Sequence, residues 1–124
     1  MMDDIDYVDI EYVAENISEL AVLMALAEEA TELSKAAMKL VRAKGLLDNP
    51  TPISVEQAEA DLIEEYNDLL NCIDVLGEMS SLTISEDIGL RMRKCRRWAE
   101  RIKSYKTKLE EKHGRKIARS LKDY

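Results

Sequence analysis

A chain of 124 residues has room for one domain. Four Gly, two Pro and no Phe, in a chain dominated by Ala, Leu, Ile, Met, Glu, Lys and Arg, exclude an all-β sandwich or barrel, which needs many turns and β-branched strands. A net charge of −7 disfavours a long nucleic acid as partner, and 46% hydrophobic residues exclude intrinsic disorder.

The first helix is expected from about Ile17 to Lys44, entered through an earlier helical turn near Asp9–Glu15. Ile17, Leu20, Met24, Ala27, Leu33, Ala37, Leu40 and Val41 recur mostly at three- and four-residue steps and predict its apolar stripe. Gly45 stops it, and residues 45–53, which hold both prolines, read as a loop. Ser54-Val55-Glu56-Gln57 has the form of a capping box. It opens a second helix through Ala58, Leu62, Tyr66, Leu69, Ile73 and Leu76 to about Ser80. After a polar break at 80–85, Thr83 or Ser85 caps a third helix, which ends near Lys112 and Gly114.

The fold class predicted is therefore all-α, with three long helices in a bundle. Residues 1–114 form the single domain and 115–124 a basic, loosely held tail. Leu23, Met24, Leu26, Met38 and Val41 cannot all face one neighbour, so a homodimer or homotetramer is expected to complete the bundle.

Two carboxylate pairs stand out. Glu29 and Glu32 lie three residues apart on the first helix, and Glu65 and Asp68 on the second. Side chains at i and i+3 share a face, about 5–6 Å apart. If the helices run antiparallel side by side, four carboxylates converge, at a cost that a cation relieves. All-oxygen ligands suit Mg²⁺, with Mn²⁺ as the alternative. The phase predicted for the stripe puts Glu32 and Asp68 at its edge. Glu28 and Glu64 sit one residue before Glu29 and Glu65, turned about 100° away from them, and are read as solvated or as supporting the ligands. His113 is the only histidine, which excludes both a Cys/His zinc site and a di-iron bundle with two Glu-x-x-His motifs. Cys72 and Cys95 are too few for a disulfide scaffold. The acidic start Met1-Met2-Asp3-Asp4 lacks the basic opening of a signal peptide, and no run approaches the roughly 18 apolar residues of a membrane span. A cytoplasmic protein without membrane contact is expected.

At Glu29-Ala30-Thr31-Glu32 and Glu65-Tyr66-Asn67-Asp68, with the context Leu26-Ala27-Glu28-Glu29-Ala30-Thr31-Glu32-Leu33, the chain resembles the MazG-like all-α nucleoside triphosphate pyrophosphatases. The resemblance covers about residues 17–80. It implies that Glu29, Glu32, Glu65 and Asp68 are magnesium ligands and catalytic residues of an enzyme that cleaves a (d)NTP between its α- and β-phosphates, giving (d)NMP and pyrophosphate. Lys35, Lys39 and Arg42 follow Glu32 along the helix and are the candidate phosphate contacts. Asn71, three residues past Asp68, is the candidate sugar or base contact. Tyr66 and Trp98 are further stacking candidates. The competing enzyme reading is a phosphoribosyl-ATP pyrophosphohydrolase, and the non-enzymatic one a helical interaction module. The chain departs from the family pattern at Arg91–Arg97, a heavily cationic stretch.

The net charge also divides unevenly. Residues 1–80 hold 19 acidic and 4 basic side chains, a charge of −15, and residues 81–124 hold 6 and 14, a charge of +8. An acidic bundle needing a cation, followed by a cationic helix, is compatible with a nucleotide that arrives with its metal.

Overall fold

The computed structural model describes residues 6–45, 48–49, 52–79 and 84–122, with side chains as far as residue 116. All secondary structure in these residues is helical: α1 (Tyr7–Asn16), α2 (Glu19–Ala43), α3 (Val55–Gly77) and α4 (Ile88–Lys122). The all-α expectation holds, but the helices number four rather than three. The early turn near Asp9–Glu15 is a helix of its own, opened by Asp6, whose carboxylate accepts from the Val8 amide at 3.0 Å. It ends at Ile17, whose extended backbone separates it from α2, and Ser18 caps α2 by accepting from the Ala21 amide at 3.1 Å.

Local signals placed most of the remaining ends. Gly45 leaves α2 with φ of +70°, the left-handed conformation that glycine reaches without a Cβ penalty, and its amide donates to the Arg42 carbonyl at 3.0 Å. Ser54 caps α3 through the Gln57 amide at 3.1 Å. The Gln57 side chain does not close the capping box; it donates forward to Asp61 at 2.8 Å. Asp87, not Ser85, caps α4, accepting from the Leu90 amide at 2.9 Å; Thr83 lies outside the described residues. α4 runs through Gly114 to Lys122 instead of stopping near Lys112, so residues 115–122 are helical. A mid-helix glycine costs only about 1 kcal/mol, and the Arg115–Glu111 pair at 3.8 Å spans this one.

The chain forms two compact units, 1–85 and 86–124. In the first, α2 and α3 pack along their lengths and α1 packs on α3. The order of contacts shows α2 and α3 antiparallel. Val22 clusters with Val75 and Leu76, Glu29 meets Glu65 and Asp68, and Ala36 shares a cleft with Asp61. The core is Ile10, Val22, Val75 and Leu76, flanked by Ala14, Leu23, Leu26 and Met79, with Ala36 and Ala58 buried farther along the pair.

The buried stripe of α2 is rotated from the predicted one. Leu20, Met24 and Val41 are exposed, while Val22, Leu26, Glu29, Leu33, Ala36, Leu40 and Ala43 are buried or half-buried at alternating four- and three-residue steps. α3 repeats this with Ala58, Leu62, Glu65, Leu69, Cys72, Leu76 and Met79. Both stripes are apolar or Cys except where a glutamate stands in each. The second unit is α4, whose described side chains are all exposed. No described helix is long and apolar enough to cross a membrane.

Candidate metal centre

Glu29 and Glu65 occupy positions that the helix–helix seam assigns to apolar side chains. They are half-buried and meet there with Asp68, one turn beyond Glu65; one carboxylate oxygen from each lies within 4.8 Å of the other two. Partial burial, followed by the charges of Glu29, Asp68 and Glu32 and a hydrogen bond with Glu29, raises the pKa of Glu65 above its ordinary 4.5. Among the described residues the acidic cluster is thus destabilised by its own charge, which a divalent cation would neutralise.

The donor set fits a small hard cation. Mg²⁺ binds oxygens at about 2.1 Å in an octahedron, so neighbouring ligand oxygens stand about 3 Å apart and opposite ones about 4 Å. Three carboxylate oxygens within 4.8 Å of one another stand near those separations. Cys72 does not compete for the role: burial and the charges of Glu29 and Asp68 push its thiol pKa up, which keeps it protonated.

Glu32 stands apart from the group of three. It is exposed, pairs with Lys35 at 3.5 Å, and lines a cleft of about 90 Å³ with Lys35, Ala36, Lys39, Asp61, Glu64 and Glu65. Of the four carboxylates expected to converge, the structure brings together Glu29, Glu65 and Asp68, with Glu29 and Glu65 in the seam, and leaves Glu32 exposed. The reason is the rotated stripe, in which Glu29 rather than Glu32 continues the series from Val22 and Leu26. Lys35 and Lys39 share the cleft wall with Glu32. Arg42 is half-buried about 20 Å along the axis from Glu29 and is not among the residues lining that cleft. Asp61 was missed, although it stands four residues before Glu65 and seven before Asp68, a spacing that shares their face. Glu64 also reaches the cleft, while Glu28 is exposed.

On the other side of the acidic group, α1 closes over α2 and α3 to leave a groove of about 400 Å³. Its walls are Ile10, Val13, Ile17, Val22, Ala25 and Val75, and its polar lining is Asp6, Asp9, Asn71 and Cys72. Cys72 feels the charges of Glu29 and Asp68, which places this groove beside the carboxylates. Asn71 therefore lies at an apolar groove next to the acidic group, while the amide of Asn67 is tied to the Ile63 carbonyl of its own helix at 2.8 Å. Tyr66 is exposed and lines neither cavity, and Trp98 is exposed on α4.

The raised pKa of Glu65 has a measurable consequence. A carboxyl that binds its proton more tightly when folded adds stability below its unfolded pKa and loses it as pH rises through the folded value. In chelator, the wild type is expected to gain thermal stability on acidification from neutral pH toward 4.5, and Glu65→Gln to lack that part of the gain. Parallel Tm–pH curves for the two proteins rule the coupling out.

No family model, curated protein or solved structure matches this chain.

Proposed function

We propose that this protein is a Mg²⁺-dependent nucleoside triphosphate pyrophosphohydrolase, converting a (d)NTP and water to (d)NMP and pyrophosphate. The observation that carries the reading is the placement of Glu29 and Glu65 in the apolar seam, joined by Asp68, next to a cleft with two lysines. A purely solvated acidic face has no reason to put carboxylates where leucine packs.

Glu29, Glu65 and Asp68 hold the cation. When bound, Mg²⁺ neutralises phosphate charge and lowers the pKa of bound water. Glu32, at the cleft wall, orients the attacking water and takes its proton. Lys35 and Lys39 bind the β- and γ-phosphates, which leave as pyrophosphate when the bond between the α-phosphorus and the bridging oxygen breaks. The Lys35–Glu32 pair must open for this; both partners are more than half exposed or nearly so, and such pairs hold weakly. The apolar groove with Asn71 receives the nucleoside.

The test is a panel of ATP, the four dNTPs and phosphoribosyl-ATP, with pyrophosphate as the readout, with and without Mg²⁺. Metal-dependent release from a dNTP supports the reading, and release from phosphoribosyl-ATP alone selects the phosphoribosyl-ATP pyrophosphohydrolase alternative. No release from any of them removes the enzyme reading.

A further inference from the structure

α4 carries an apolar row that serves no purpose in an isolated helix. Ile88, Cys95, Ile102 and Leu109 recur at steps of seven, with Met92, Trp98 and Tyr105 between them. All seven are exposed, Trp98 at 63%. Three successive heptads are the pattern of a helix that packs against other helices. Beside the row runs a second one, Lys94, Arg97, Arg101 and Lys108, at helical steps of three, four and seven. Two copies of α4 side by side would bring these cationic rows together, which opposes self-pairing. The seam therefore calls for a surface that is apolar and acidic.

One segment of this chain carries both characters. Residues 1–34 include ten acidic side chains and no Lys, Arg or His. In that stretch α1 exposes Val8 and Tyr12 one turn apart, and α2 exposes Leu20, at 76%, and Met24 one turn apart. We infer that the α4 seam of one copy docks on the exposed apolar side chains of the acidic α1–α2 segment of a second copy. A closed two-fold pair makes this contact twice, doubling the buried area and setting each +8 segment against a −15 segment. The inference does not depend on the proposed activity.

Sedimentation equilibrium of the full chain tests it. The expected species has twice the 14.2 kDa chain mass. Its dissociation constant rises about tenfold between roughly 0.05 and 0.5 M NaCl, because screening weakens opposite charges across a contact. Trp98→Ala weakens the dimer about thirtyfold, as removal of an aromatic anchor does, and Leu20→Ser with Met24→Ser weakens it comparably. All these side chains are exposed, so helicity by circular dichroism stays at the wild-type level. A monomer at all concentrations overturns the inference. So does association strengthened by salt, which marks α4 self-pairing, or a dimer indifferent to either set of variants.

Discussion

Asp68→Asn is expected to reduce Mg²⁺-dependent pyrophosphate release by at least about a hundredfold, the lower range for loss of a positioned acid–base or ligand group. The substitution keeps the shape of the side chain and removes one of three converging charges. It also relieves repulsion on Glu65, whose proton affinity is raised in part by Asp68. The metal-free variant should therefore be at least as stable as the wild type while being inactive. Metal binding separates these effects. For the wild type, Mg²⁺ a hundredfold above its Kd adds about 2.7 kcal/mol of stability, a rise in Tm of several degrees; the Asn variant shows little rise at the same concentration. Full activity in Asp68→Asn, or an equal Mg²⁺ shift in both proteins, removes Asp68 from the site. Unfolding of the variant in chelator, where it should be stable, would mean that Asp68 is structural.

Leu76→Ala should have the largest effect on stability, about 3 kcal/mol. Leu76 has no exposed surface and packs with Ile10, Val22 and Val75, where α1 meets the α2–α3 pair. Truncation leaves a void where three helices meet, and their packing limits collapse onto it. Only six apolar residues are buried among those described, so no second core compensates. Urea unfolding followed by circular dichroism reads the change. Leu90→Ala, on exposed α4, is the control and should shift stability by less than about 0.5 kcal/mol. A similar shift for both would place the stabilising contacts elsewhere.

The acidic site was legible because its spacing is covalent. Glu29 and Glu32, and Glu65 and Asp68, had to share a helix face wherever the helices went. Their meeting required only that α2 and α3 run antiparallel, which the loop at 45–53 favours. The phase was misjudged because α2 is apolar on more than one side. Ile17, Leu20 and Met24 fit a stripe as well as Val22, Leu26 and Leu33 do, and a helix with two apolar faces does not announce which one a partner covers. The predicted face puts Glu32 at the stripe's edge, where the packed pair leaves it exposed, and gives Asp61 no role.

Composition and local signals determined the all-α class, the caps at Ser54 and Gly45, and the paired carboxylates, since these depend on backbone conformation and neighbours a few residues away. They did not separate α1 from α2 at Ile17, or carry α4 past Gly114, because each end is a balance of about 1 kcal/mol that flanking turns tip. Tertiary packing alone decided that Glu29 and Glu65 lie in the seam while Glu32 stays in water beside Lys35. Which face of an amphipathic helix is buried is a property of two helices together, and the burial that raises the proton affinity of Glu65 arises only when they meet.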